Sequence, residues 1–374
     1  MTKLFSSALL ACVLLGACAC ACGPSVKPTL KIGLAAPFEG QYRALGYEAL
    51  YGAQLAVTER NQAGGVGGYL VELVALNDDQ DPSWATQRAR EMGVDSDVMG
   101  VIGHLGEQTT EAAIPIYQGL GLPLVVPLSS AGATPDEGQG AVFRLVADKQ
   151  AVGAVGARYA VLDRSARRVA VVGEDQELAE AFAAYSRSLG ADVYVHSDPR
   201  DEHLVSELSR EAPQLVFLVE QGVEAGEFVL ELAESGLRYP ILGGPGLDTP
   251  QFVQVAGEAA LGTVYLSHAP PLSEGPFFEA YEALWASKPG ARAALAYDAS
   301  GLLLEALERL MELHGRPSRA GLAESLAALK DYQGVTGRIS FDNQGQAVER
   351  EVFLYEMVAL EYPGQPLSCE SCGS

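Results

Sequence analysis

The sequence predicts an α/β protein built from parallel sheets in two similar lobes. Short apolar runs of strand length alternate with amphipathic helical stretches, a rhythm that builds parallel sheets covered by helices. The rhythm occurs in two blocks, about 30–143 and 149–265. The chain has 374 residues, 48% of them apolar, which is more than one hydrophobic core usually serves.

The elements follow in order. Residues 31–36 (KIGLAA) read as a strand, broken by Pro37 and Gly40. Residues 45–62 carry a helical pattern, with Leu50, Ala53, Leu55, Ala56 and Val57 clustered on one side. Gly64 and Gly65 end it as a helix C-cap does. The next strand is 69–76. NDDQDP then turns the chain, and Asp81-Pro82 opens a helix to about Gly93. A strand at 98–103, a helix at 109–118 and a strand at 124–127 complete the first block. In the second block, strands fall at 168–173, 191–196, 214–219, 240–243 and 262–266. Its helices fall at 148–163, 176–189, 201–211 and 223–236. Residues 274–329 read as mostly helical, and 335–341 and 350–358 as the last strands.

The N-terminus reads as an export signal. Lys3 is a positive n-region, and the apolar run from Leu4 to Leu15 is too short to span a membrane. Leu15-Gly16-Ala17 before Cys18 resembles a bacterial lipobox, in which the cysteine becomes the lipidated N-terminus. Two or more acyl chains anchor stably where one does not. Residues 1–17 are therefore expected to be a signal peptide. Residues 18–28, which include the linker-like GPSVKP, are expected to be a tether, and the body to be a membrane-anchored lipoprotein of the periplasm or cell envelope. A plain signal peptide with an incidental Cys18 is the alternative. With 25 basic and 48 acidic residues the net charge is −23, which repels nucleic acid and anionic headgroups. The membrane link is then the lipid alone.

Of six cysteines, Cys12 leaves with the signal, and Cys18, Cys20 and Cys22 crowd the N-terminus. Cys369 and Cys372 end the chain as C-x-x-C. None lies between residues 23 and 368. A lone C-x-x-C offers two metal ligands where zinc wants four, so a disulfide in the tail is expected rather than a metal site. The chain carries no phosphate-binding, zinc-protease or serine-hydrolase motif. No catalytic residue and no cofactor is assigned. His104 closes an apolar strand and reads as a structural histidine. His196, His203, His268 and His314 have no partner the sequence identifies.

Several stretches, in order and spacing, resemble the type I periplasmic solute-binding proteins of the branched-chain amino-acid (leucine/isoleucine/valine) group. They are LKIGLAAPFEG (30–40), NQAGGVGGYLVELVALNDDQDP (61–82) and VIGHLGEQTTEAAIPIYQGLGLPLVVP (101–127). Further on come VAVVGEDQELAEAFA (169–183), AGEFVLELAESGL (225–237), LGGPGLD (242–248) and VTGRISFDNQGQAV (335–348). The resemblance implies two doubly wound lobes joined by a three-crossing hinge, with crossings near 143–149, 265–272 and 338–343. Lobe 1 would comprise 29–143 plus 270–338, lobe 2 would comprise 144–269 plus 339–360, and 361–374 would be a C-terminal tail. The ligand is expected in the cleft at the carboxyl ends of the strands, with hinge closure over it.

In that family a hydroxyl at a helix start and another after the next strand hold the ligand carboxylate. The second matches Leu128-Ser129-Ser130, with Ser130 in the hydroxyl role. The first falls on Glu107, with Thr109 and Thr110 nearby. Glu107 is either a ligand contact or an ordinary acid in a first helical turn. The acid that grips the ligand ammonium falls on Pro245, with Asp248 as the nearby substitute or a helix N-cap. A cleft aromatic falls on Gln221, beside Glu220. Others fall near Leu45 and Leu178, and Tyr42 can replace the first. The ligand set expected here is Ser129, Ser130, Thr109, Glu107, Gln221, Asp248 and Tyr42. The resemblance thus implies a lipid-anchored, monomeric solute-binding protein of an ABC importer, with a permease as partner and a small polar solute as ligand. A ligand-sensing or envelope-interaction lipoprotein without a transporter is the alternative, and an enzyme built on a perturbed Glu107/Glu220 pair is the third.

Overall fold

A computed structural model describes residues 27–129 and 142–372. Cys18 and Ser130 lie outside the described residues. The first sheet consists of β1 (Thr29–Ala36), β2 (Leu70–Asn77), β3 (Val98–Ile102), β4 (Leu124–Val126) and β5 (Val142–Arg144), in the order β2-β1-β3-β4-β5. All its pairings are parallel. Helices α1 (Arg43–Gln62), α2 (Pro82–Val94) and α3 (Glu107–Gly119) connect its strands.

The second sheet repeats this order with β6 (Arg168–Val172), β7 (Asp192–His196), β8 (Leu215–Leu218), β9 (Ile241–Gly243) and β10 (Val264–Ser267), arranged β7-β6-β8-β9-β10. Its connecting helices are α4 (Lys149–Arg158), α5 (Gln176–Ser188), α6 (Leu204–Glu211), α7 (Gly222–Glu234) and α8 (Pro250–Ala256). Helices α9 (Pro276–Trp285), α10 (Ala291–His314) and α11 (Arg319–Ala328) follow. The hairpin of β11 (Tyr332–Gly334) and β12 (Gly337–Ile339) comes next, and then β13 (Phe353–Glu356) and β14 (Gln365–Leu367), which add antiparallel strands beside β10. The fold class is as expected from the strand–helix rhythm: two parallel α/β sheets with the same doubly wound order.

Each sheet is buried on both faces. In the first, Ile32, Leu34 and Ile102 pack under Leu303 and Leu307 of α10, while Ala35, Val101 and Leu124 pack under α2 and α3. In the second, Val169, Val171 and Phe217 face one layer, and Ala170, Val172 and Leu218 the other. Burial on both sides explains why these strands read as continuous apolar runs rather than alternating ones. Among the described residues, no helix is long and apolar enough to cross a membrane.

The expected helix over 148–163 is α4 followed by a wider π-type turn at Tyr159–Asp163. The expected strand over 335–341 is the β11–β12 hairpin. The chain leaves the first sheet after β5 and returns after β10. Its last passage lies later than 338–343. The Arg144 N–H donates to the Gly345 carbonyl at 2.8 Å and the Ala347 N–H to the Arg144 carbonyl at 2.9 Å, so residues 345–347 still cover the open edge of β5. The passage therefore runs between Ala347 and Phe353. The tail pairs β14 with β13 and closes a Cys369–Cys372 disulfide, the pairing expected for the C-x-x-C.

Candidate functional site

Strand order reverses next to β1 in one sheet and next to β6 in the other, and an open crevice forms at such points beyond the strand carboxyl ends. Loops from both sheets meet there around a cavity. Leu105, Gly106, Glu107 and Leu128 line it from the ends of β3 and β4. Asp175, Leu178, Glu220 and Asp248 line it from the ends of β6, β8 and β9. Lys149 and Arg292 enter from the first turns of α4 and α10. A continuing mouth adds Tyr42, Gln80, Thr109, Glu174, Arg200 and Glu224.

Glu107 is the first residue of α3, where the free N–H groups favour a carboxylate. Its Oε2 lies 2.7 Å from Nζ of Lys149, which also contacts Asp175 Oδ1 at 2.8 Å and Glu177 Oε2 at 3.5 Å. The ion cluster joins the two lobes across the cleft. Burial disfavours the Lys149 charge, but its hydrogen bonds to Asp175 and Glu107 outweigh that and raise its pKa. Burial, then the Asp175 charge, raises that of Glu107 against the pull of Lys149. The cluster is thus carboxylate-rich, with one ammonium for three acids.

Glu220 follows β8 and is buried. Its Oε1 accepts the Glu174 N–H at 2.6 Å. Gly173, at φ 136°, makes room: a Cβ there would lie 2.6 Å from the Val219 carbonyl and 2.8 Å from that carboxylate oxygen. Burial, with the charges of Glu174 and Glu224, raises the Glu220 pKa to about 7. Two further contacts cross the cleft. The Tyr42 hydroxyl donates to Glu224 Oε1 at 2.8 Å, and the Gln251 amide donates to the Gln41 carbonyl.

Among the expected ligand residues, Glu107, Gln221 and Asp248 line the cavity, and Tyr42 and Thr109 line the mouth. Thr109 donates its hydroxyl to the Gly106 carbonyl at 3.0 Å. Ser129 is buried next to the lining residue Leu128. Asp248 accepts from the Ser267 hydroxyl at 2.6 Å and the Tyr362 hydroxyl at 2.9 Å, and its carbonyl accepts from Arg292. It is not the N-cap of α8; Thr249 takes that role. His104 is structural, as expected: it is fully buried between Asp78 Oδ2 at 2.6 Å and the Tyr117 hydroxyl at 3.2 Å.

Lys149, Asp175, Arg292 and His268 were not expected at the site. Lys149 and Arg292 had a signal: each stands in a first helical turn, where the dipole disfavours cations unless acids lie close. Glu48 does this for α10, with a buried carboxyl that burial pushes up to about 7 against the pull of the Arg292 charge. His268 is buried with no partner on Nδ1, and burial holds its pKa down to about 3, so it is neutral. Among the described residues, the one group of three candidate metal ligands is Asp163 with Cys369 and Cys372, away from the cleft and with its sulfurs joined.

Two similar doubly wound lobes around a charged cleft define a bilobal solute-binding protein. The chain belongs to the periplasmic binding protein family, which it matches over residues 29–361. A leucine-, isoleucine-, valine-, threonine- and alanine-binding protein of Pseudomonas aeruginosa is 24% identical over 340 residues, covering 88% of this chain and 90% of that one. Leu/Ile/Val-binding protein BraC3 of Rhizobium johnstonii is 26% identical, covering 90% and 94%. The isoleucine complex of LivJ from Streptococcus pneumoniae is 26% identical, with a TM-score of 0.79 and coverage of 91% and 99%. These relatives are solute-binding proteins, and the chain is one of them and not an enzyme. The family implies an extracytoplasmic location.

Proposed function

We propose that this chain is the solute-binding component of an ABC importer, tethered by lipid at Cys18, which closes its lobes on one small polar solute and presents it to a permease. The observation that carries this reading is the interlobe cavity, lined with charged groups from the carboxyl ends of both sheets. The protein acts as a monomer without metal or cofactor. The relatives named above bind branched-chain amino acids, but the polar set of this cleft differs. Glu107, bound to Lys149, stands where a carboxylate-binding hydroxyl is expected, and Pro245 stands where an ammonium-binding acid is expected. Charged hydrogen bonds of this kind are worth about 1.5–3 kcal/mol each, so leucine, isoleucine and valine bind weakly, and a neutral or cationic polar solute is preferred.

Thermal-shift screening of the mature protein against amino acids, amides, amines, sugars and nucleosides tests the reading. A ligand at a hundred times its Kd stabilises the fold by about 2.7 kcal/mol, a rise of roughly 5–10 °C. No shift with any class would refute cleft binding of a small solute.

A further inference from the structure

The polar groups of the cleft are unbalanced in one direction. Its interior and mouth are lined by six acids, Glu107, Glu174, Asp175, Glu220, Glu224 and Asp248, against three cations, Lys149, Arg200 and Arg292. Every one of those cations is already engaged. Lys149 holds Glu107 and Asp175, Arg200 lies 3.2 Å from Glu174, and Arg292 donates to the Asp248 carbonyl. Acceptors, by contrast, are left over. Glu224 Oε2 and Gln80 Oε1 are buried at the mouth with no donor. Glu220 is 7% exposed and, among the described residues, has a hydrogen bond on Oε1 alone. A buried acceptor without a donor is costly, and a carboxylate without a counter-charge more so.

We infer that the solute is an organic cation with N–H groups, a protonated primary amine or a guanidinium, and that Glu220 and Glu224 receive it. The inference rests on the reading that the cleft binds a small solute. A cation reduces the charge imbalance, and its N–H groups supply the missing donors. A quaternary ammonium supplies charge but no donor. A bare metal ion does not suit the site, because the cleft oxygens do not converge: among the described residues, no three candidate ligand atoms there lie within 4.8 Å of one another. Glu220 stands just before the α7 N-cap Gln221 and Glu224 in its first turn, so both carboxylates are placed at the start of one helix.

Isothermal titration calorimetry of the mature protein with agmatine, putrescine, choline, leucine and glucose tests this. Agmatine or putrescine is expected to bind, with choline at least about tenfold weaker, since a charged hydrogen bond is worth about tenfold or more. Glu220→Gln keeps an acceptor for the Glu174 N–H, and Glu224→Gln keeps one for Tyr42. Each is expected to weaken amine binding about tenfold or more, with circular dichroism unchanged. Should Glu220→Gln fail to fold, Glu224→Gln decides alone. Binding of leucine or glucose without either amine overturns the inference and leaves cleft binding standing. Choline binding as tightly as the amines overturns the N–H requirement. Silence from all five probes overturns the inference too, and the wider thermal-shift screen then decides cleft binding separately.

Discussion

Replacing Lys149 by methionine keeps the length and apolar stem of the side chain and removes its charge. Lys149 is the single ammonium among Glu107, Asp175 and Glu177, at 2.7, 2.8 and 3.5 Å. Breaking a fully buried pair costs about 3–5 kcal/mol, and an exposed pair about 0–1. Lys149 is 9% exposed but Glu107 is 35% and Asp175 25%, which places the loss between these limits, at about 1–3 kcal/mol. For lobes of this size that is roughly 2–4 °C in Tm per kcal/mol. Part of the loss is repulsion between the acids left behind, so Glu107→Gln should recover about 1 kcal/mol in the Lys149→Met background. Urea melts of the four proteins of this cycle give the coupling directly. The cluster also crosses the cleft, so the variant should open. Small-angle scattering should report a larger radius of gyration for unliganded Lys149→Met than for wild type. A coupling within about 0.3 kcal/mol of zero, with an unchanged radius, would refute the reasoning that this lysine ties the lobes together.

Three further outcomes follow from particular residues. Glu220 faces Glu174 and Glu224, which raise its pKa, and Arg200, which lowers it, with burial as the largest cause and a result of about 7. A raised carboxyl contributes stability below its unfolded value that is lost as pH rises through 7. Unliganded Glu220→Gln should therefore melt above wild type at pH 8, by about 1–3 kcal/mol, with the gap closing by pH 5; an equal gap at both pH values contradicts this. Asp298 is buried and accepts the Val335 and Thr336 N–H groups at 2.8 and 2.9 Å, so Asp298→Ala should cost roughly 2–5 kcal/mol in urea melts, and a loss below about 1 kcal/mol would show that water replaces it. Cys18→Ala should abolish lipid labelling in cells, and mass spectrometry showing a mature N-terminus elsewhere without acyl chains would remove the anchor from the proposal.

The fold was legible because parallel strands buried on both faces and helices buried on one leave different periods in the sequence. The runs at 98–103 and 168–173 became β3 and β6, and glycines after each turn the chain toward the cleft. What stayed hidden was short or nonlocal. β5 and β14 are three-residue strands set by pairing with β4 and β13, too short to leave a period of their own. The site was legible by place, since Glu107, Gln221 and Asp248 do line the cavity. Its partners were not. Tyr42 meets Glu224 from 182 residues away, and Lys149 meets Glu107 from 42. No local pattern records such pairs. A lysine and an arginine in first helical turns were the trace they left. Reading Glu107 alone left a ligand contact and an ordinary acid in a first helical turn as alternatives, whereas the structure gives it a counter-ion from the other lobe.

The family match stops at residue 361, one short of Tyr362. That tyrosine is half-buried and donates its hydroxyl to the cleft carboxylate of Asp248 at 2.9 Å, and two residues on the Gly364 N–H donates to the Tyr265 hydroxyl at 3.0 Å. The tail therefore supports a lining carboxylate of the binding site from outside the cavity, though it looks like an appendage. A chain ended at the family boundary would strip a hydroxyl from a buried acid and leave β13 without its antiparallel partner β14. Truncation for expression should stop beyond Cys372, and a fluorescent reporter of lobe movement belongs on the first lobe.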